Sequence, residues 1–468
     1  MQTLKRTLPL NLAIYALYLL VAVVMTWPLL TIISTHFAGY PFGDAHEMTR
    51  HIWWIKTALQ TGQPMIFQPL LGYPDGMQGV ILWSDPLQFF PGWLFAFFMP
   101  LPAAYNLFAL LTLALNGWAA YWLVWKLTGV RSAALLGGLA FMTAPVIQGH
   151  LAGGHGGLLV QWPLPLLVYS LLQVTGLFKV VSYKPEVASQ SQNKSSRFPL
   201  SIRYIVLSTI FFLLTPLGHT LQLIYAVFPL ITVIGLTLLV RRDWWALLRL
   251  MIVSVVGAGL LLIFLLPVFA STFGTSAYTG EGGGVDYSDD LLGIVTPSFN
   301  HPLYGELPYT HTVLGVNIVE GSSYIGIVAG LLALLALWKV KAARWWLILA
   351  AVAWILALGP LLKLFDQPLK INLGTLDTYI TLPYAFVYNL PGFSLARTPG
   401  RFDFLLALVI AVLVGYGWTW INRRGLPFGT GLPTANLYVI LVTLIVGALI
   451  VLDYQSFWPL PTYDATIP

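Results

Sequence analysis

The sequence has no cysteine among its 468 residues. That excludes disulfides, thiolate metal sites and cysteine nucleophiles, though it says little about compartment. Charge is also scarce: Asp, Glu, Lys and Arg make up 9% of the chain, against about 25% in an ordinary soluble domain. No internal repeat is visible, which removes the usual sequence hint of an inverted-repeat transporter. The acidic stretch TGEGGGVDYSDD lacks EF-hand spacing, and its GEGGG is not a phosphate loop because no Lys-Ser/Thr follows to open a helix.

What fills the chain instead is apolar sequence, 58% hydrophobic residues with a mean hydropathy of +0.79. Runs of 18 or more nearly uncharged residues recur from end to end, each long enough to cross roughly 30 Å of hydrocarbon as a helix. They lie near residues 10–33, 104–125, 132–148, 157–178, 203–218, 220–240, 248–269, 322–338, 345–362, 402–421 and 434–452. The composition therefore predicts an all-α polytopic membrane protein of about eleven transmembrane helices. Residues 1–468 form one membrane-embedded domain in this reading, with no separate soluble domain. The first apolar run is about 24 residues, too long for a signal-peptide core, and no A-x-A-like site follows it, so it is expected to be a retained span.

Topology rests on the segment Asp85–Pro100, which is apolar but short and contains Pro86, Pro91 and Pro100. If it stays in the interface, six of the 23 basic residues lie outside: Arg50, Lys56, Lys363, Lys370, Arg397 and Arg401. The other 17 then lie in the cytoplasm. If it crosses, the split reverses, against the positive-inside rule. An interfacial segment is therefore expected, with the N-terminus cytoplasmic and the C-terminus extracytoplasmic. The net charge of +6 follows from these cytoplasmic loops and does not call for nucleic acid as a partner.

Four segments then line the extracytoplasmic face: 34–102, the short loop around 148–157, 271–321 and 365–400. Of the 17 acidic residues, only Glu186 and Asp243 fall on the opposite side, which marks the outer face as the working one. Residues 179–203, rich in Ser, Gln and Lys, read as a mobile basic cytoplasmic linker facing anionic lipid. In the first loop, GDAHEMTRHIWWIKTALQTGQP places Met48, Ile52, Ile55 and Leu59 at helical spacing. This predicts a short amphipathic interfacial helix with Trp53 and Trp54 as headgroup-level anchors. Asp44 stands at its start with Glu47 three residues on, the pattern of a capping box. A carboxylate at that boundary is equally suited to act as a general base.

An acidic residue directly after the first span, an amphipathic helix, the turn-rich QPLLGYPDGMQG and a second interfacial segment leading to LPAAYN resemble the GT-C superfamily of membrane glycosyltransferases. The closest likeness is to its bacterial YfhO-like branch, which also carries counterparts of GHLAGGHGGLLVQWPLPLL, TPSFNHPLYG and LARTPGRFDFLLALVIAVLVGYG. The likeness covers almost the whole chain. It implies inverting transfer of a sugar from a polyprenyl-phosphate donor in the membrane lipid to a glycan, lipid or protein acceptor of the cell envelope. Asp44 is the matching first-loop base. Members often present paired acids there, whereas this chain has Asp-Ala-His-Glu, which leaves Glu47 or His46 as the partner. No large soluble C-terminal domain of the kind some members carry is present, so acceptor recognition falls to loops.

Such a reaction needs a base for the acceptor hydroxyl and positive groups for the departing phosphate. Arg397 and Arg401, four apart at the outer start of a span, are expected to share a helical face beside a lipid phosphate; the bland alternative is two snorkelling anchors. Asp85, His150, His155 and His301 are the remaining candidates for binding substrate, with His219 a similar residue in a short turn. His150 and His155, in the glycine-rich turn GHLAGGHGG, suit hydroxyl, phosphate or divalent-cation contacts, or simply a polar loop. The stretch around Glu281, Asp286, Asp289 and Asp290 reads best as a solvated loop. Trp83 and Trp162, near the outer boundary, are candidate sugar-facing aromatics. The alternative functions are a transporter or flippase of lipid-linked saccharide and an envelope assembly protein. Span centres nearly free of charge favour surface chemistry over ion coupling.

Overall fold

A computed structural model describes residues 2–78, 83–177, 197–272, 283–315, 319–390, 393–424 and 433–465. Most of the expected basic linker 179–203, and Glu281, lie outside the described residues. The described chain is mainly helical. Seven helices are long and apolar enough to cross a membrane: Leu8–Met25, Leu101–Thr128, Arg131–Ala152, Leu223–Val240, Trp244–Val268, Pro399–Arg423 and Leu437–Tyr454. Helices Ile327–Lys339 and Lys341–Ala357 are each too short alone and meet at a bend of 113°; counted as one broken span they bring the total to eight. Pro163–Thr175 and Ile202–Gly218 are shorter apolar helices. The helical content fits the expected all-α membrane class; among the described residues four short two-stranded antiparallel ribbons stand in segments between or beyond the long helices.

Leu101–Thr128 is the central pillar. Its 28 residues give roughly 42 Å of helix at 1.5 Å per residue, and most of its surface is buried. Small residues make this possible, letting neighbouring helices approach closely. Tyr18 of the first span packs against Gly117 and Gly138 and donates its hydroxyl to the Leu135 carbonyl at 3.1 Å. Two buried asparagines on the pillar fasten loops to it. Asn106 accepts from the Ala38 amide at 3.2 Å and donates to the carbonyls of Ile33 and His36 at 2.9 and 2.7 Å. Asn116 donates to the Leu159 carbonyl at 2.8 Å and accepts from the Gln161 amide at 3.1 Å.

The first loop contains the two expected helices, Ala45–Thr61 and Pro86–Ala96. The second has 11 residues, about half of what a crossing needs. It lies against the first through Ile52, Ile55 and Ala58 on one side and Phe89 and Ala96 on the other. Trp54 corrects the anchor expectation: it belongs to this core, 4% exposed, and its indole donates to the Met65 carbonyl at 2.9 Å. Trp53 stays half-exposed. Leu59 is 49% exposed, so the apolar stripe reaches only as far as Ala58.

The C-terminal segment returns to this same loop. Thr462–Asp464 pairs antiparallel with His36–Ala38, the Leu460 amide donates to the Trp27 carbonyl, and the Gly39 amide to that of Pro461, the last two at 2.8 Å. Chain end and first loop therefore share a face. Gln148 locks the arrangement from inside, donating to the carbonyls of Thr143 and Tyr454 at 2.6 and 2.7 Å and accepting from the Ser456 amide at 3.0 Å.

Gln148→Leu fills the same space but leaves a buried amide and two carbonyls with fewer partners, each costing about 1–3 kcal/mol. The expected result is a thermal unfolding midpoint several degrees lower in detergent, read by intrinsic fluorescence; an unchanged midpoint would show that this glutamine does not hold the C-terminal segment.

Candidate functional site

The site begins where the first loop meets the glycine-rich turn. The Tyr40 amide donates to the Ala152 carbonyl at 2.8 Å and the Asp44 amide to the Gly153 carbonyl at 2.9 Å. Backbone lies directly on backbone here. A Cβ at Gly154 would stand 2.5 Å from the Ala45 nitrogen and 2.9 Å from that of Asp44, and its φ of +74° is a left-handed conformation. Both facts restrict the position to glycine. The seam sets Asp44 over the two histidines of GHLAGGHGG.

Asp44 occupies the N-cap position of Ala45–Thr61, yet its side chain makes no capping hydrogen bond. The capping-box expectation is corrected on this point. The carboxylate turns instead toward His155, with Oδ2 3.5 Å from Nε2, and is 51% exposed. From there the contacts run inward. His155 Nδ1 is 2.7 Å from His150 Nδ1, and His150, fully buried, presents Nε2 3.7 Å from Glu320 Oε2. Glu320 accepts from Arg401 three times, from Nε at 3.1 Å to each oxygen and from Nη2 at 2.6 Å to Oε1. A Cβ at Gly400 would collide with the Glu320 carbonyl, so this glycine lets the pair close. The segments 34–102, 148–157, 271–321 and 365–400, or their edges, thus all contribute to a single chain of contacts, the second of them twice.

Burial holds His155 below the ordinary imidazole range, with Glu320 and Asp44 pulling the other way. His219 joins the same neighbourhood: burial, with Arg401 and His155 nearby, pulls it down to about 3. Both rings are neutral at physiological pH. One ligand atom from each of His150, His155 and Glu320 lies within 4.8 Å of the others, a grouping compatible with a metal ion.

The other candidates are distributed elsewhere. His46 packs its ring against Phe37 and Tyr463, at centroid distances of 5.1 and 5.2 Å. Glu47 turns along its own helix toward Arg50 and His51, each at 3.6 Å, and the hydrogen bond to His51 holds it below the usual carboxylate range. It does not meet Asp44. Asp85 is buried and accepts from the Thr220 amide and hydroxyl at 2.9 and 2.7 Å, pinning Pro86–Ala96 beside the His219 turn; burial pushes it up to about 7. His301 spends both ring nitrogens on backbone, Nε2 toward the Asp453 carbonyl and Nδ1 toward the amides of Leu303 and Tyr304. Arg397 and Arg401 do not share a helical face, because Arg401 sits in the 3-10 turn Pro399–Phe402 and Arg397 precedes it. Arg401 engages Glu320 and so is not directed at lipid as an anchor would be. Trp83 stacks on Phe264 and donates to its carbonyl at 2.6 Å, a packing role.

Sequence reasoning missed Glu320 altogether. It also assigned Asp289 and Asp290 to a solvated loop, and the structure corrects this. Both are buried. Asp290 accepts from the Leu292 and Asp366 amides at 2.8 Å each. Asp289 faces Asp403, and burial together with that second carboxyl pushes it well above the carboxylate range, so the pair holds a proton.

Residues 16–446 match the family described as "Domain of unknown function (DUF6311)", and the chain belongs to that family. No curated protein matches it.

Removing the carboxylate charge from Glu320 strands the guanidinium of Arg401, which is only 14% exposed. Glu320→Gln should therefore destabilise by about 3–5 kcal/mol, while Glu320→Leu combined with Arg401→Met should recover most of the loss. Thermal melts of the single and double variants in one detergent test this; a double variant no more stable than the single one would contradict it.

Proposed function

We propose that this DUF6311 member is an inverting glycosyltransferase that moves a sugar from a polyprenyl-phosphate-linked donor to a glycan, lipid or protein acceptor of the cell envelope. The observation that carries the reading is Asp44, a half-exposed carboxylate at a helix start that makes no cap bond and is directed at His155. A carboxylate so held is placed to take the proton of an acceptor hydroxyl as that oxygen attacks the anomeric carbon. The bond from that carbon to the phosphate oxygen breaks, the phosphate leaves with the electron pair, and configuration inverts.

A groove of about 480 Å³ runs along the helix that Asp44 begins, lined among others by Phe37, His46, Arg50, Trp53 and Leu101. Its apolar wall suits an isoprenoid chain and Arg50 a phosphate. With Arg401 committed to Glu320, Arg50 is the better candidate for the departing phosphate. Basic residues concentrated in the other loops support an extracytoplasmic site with the N-terminus cytoplasmic. The GT-C-like layout of eleven crossings belongs to the same reading, with Pro163–Thr175, Ile202–Gly218 and the two arms of the bent pair completing the count. Resident ionisable groups sit at helix ends, as at Arg401, Asp403 and Asp453, which favours chemistry at the rim over ion-coupled transport.

Asp44→Asn should lower transfer from a polyprenyl-phosphate sugar by about 10²–10⁴-fold, with an unchanged thermal midpoint. An in vitro assay showing full activity in this variant would sink the mechanism. Purified wild-type protein that moved labelled lipid-linked sugar across liposomes without forming product would instead favour a flippase.

A further inference from the structure

The contacts Asp44–His155, His155–His150 and His150–Glu320 are one proton short. In their neutral, metal-ligating forms two imidazoles carry two N–H groups between them. The 2.7 Å contact between the Nδ1 atoms consumes one. Only one proton is left for two outer nitrogens, each of which faces a carboxylate. Whichever way the tautomers are set, one bare lone pair points at a negative charge. His150 Nε2 is buried and has no hydrogen-bond partner. Both carboxylate contacts, at 3.5 and 3.7 Å, are too long for good hydrogen bonds. A cation held between these groups would satisfy that lone pair.

We propose that His150, His155 and Glu320 are the ligands of a divalent transition-metal ion, with Asp44 orienting the His155 ring from outside the ligand set. In the tautomer that places the His155 proton on Nε2, toward Asp44, the Nδ1 lone pair faces His150 Nδ1 at 2.7 Å and ligates the metal once that contact opens, which gives the usual carboxylate–histidine–metal arrangement. His150 contributes its bare nitrogen. Glu320 Oε2 lies 3.7 Å from His150 Nε2, and a carboxylate oxygen is an ordinary ligand of such an ion. Two imidazoles and a carboxylate suit Zn²⁺ or a similar ion better than Mg²⁺ or Ca²⁺, which favour oxygen ligands. Donor atoms around such an ion stand about 3.3 Å apart at bond lengths of roughly 2.0–2.2 Å. The ligand atoms, now within 4.8 Å of one another, need only a small closure. Asp44 and Glu320 against Arg401 leave one net negative charge to attract the ion, and the neutral His219 adds none.

The experiment uses the full-length protein, stripped with chelator in detergent and titrated with Zn²⁺ by calorimetry, with Co²⁺ absorption as a second readout. One equivalent should bind, raise the thermal midpoint and give the visible bands of histidine-ligated Co²⁺. His155→Ala breaks no buried ion pair, and it should weaken binding at least 10-fold and abolish the midpoint shift. Asp44→Asn should weaken it by about 10-fold, the scale of a second-shell loss. His311→Ala, which removes an exposed histidine beside Glu306, should leave the equivalent intact. Absence of stoichiometric binding, or binding retained in folded His155→Ala, overturns the assignment. The readout is metal occupancy, so its failure is distinct from failure of the glycosyl-transfer reading, which Asp44→Asn tests by product formed.

Discussion

A seam of bare backbone, residues 39–45 against 152–154, sets where everything else at this end of the bundle can lie. Amides of Tyr40 and Asp44 donate directly to the carbonyls of Ala152 and Gly153, and no side chain fits between. The seam pulls the start of the first-loop helix onto the turn that carries His155. It also explains why Asp44 does not cap its own helix: its amide is already engaged with the turn and its side chain is carried toward the imidazole. Asn106 on the central pillar reinforces the arrangement by gripping residues 33–38 from below. Rigid helices thus position a site built from helix ends, as at His150 and Arg401, and from loop residues, as at His155 and Glu320.

The polar groups of this protein obey the bilayer's rule that backbone and charge must be satisfied internally. They do so in two hubs at the same end of the bundle. One is the run from Asp44 through the histidines to Glu320 and Arg401. The other centres on Asp453, which accepts from the hydroxyls of Tyr304 and Tyr324 at 2.8 and 3.0 Å and from the Val328 amide at 2.9 Å. The second hub is fully paired and holds the third loop and the C-terminal helix together. The first is under-satisfied, with His150 Nε2 lacking a partner. Incompletely satisfied buried polar groups are where binding and chemistry concentrate.

Histidines illustrate how context divides similar residues. His150, His155, His219 and His301 all occupy short turns or helix ends on one face, and nothing in their local sequence separates them. His301 becomes a structural bracket because amides of the following turn and the Asp453 carbonyl lie within reach of both nitrogens. His150 and His155 remain available because each faces the other and a carboxylate rather than a backbone group.

Apolar run length and charge scarcity determined that the chain is a helical membrane protein, since hydrocarbon admits little else. The distribution of basic residues grouped four loops on one face, and the spacing of Ile52 and Ile55 set a helix beginning at Asp44; both are local or additive properties, legible in one dimension. Only the tertiary structure decided which members of those loops meet. Glu320 carries no local signal, since a lone acid between Val319 and Gly321 fits any loop. Its significance comes from Arg401, 81 positions later, and from a histidine 170 positions earlier. Likewise the cap role of Asp44 and the anchor role of Trp54 follow from residue type alone, until neighbours distant in sequence offer the carboxylate an imidazole and the indole a buried carbonyl. Pairings of this kind depend on how helices pack, and no periodicity records them.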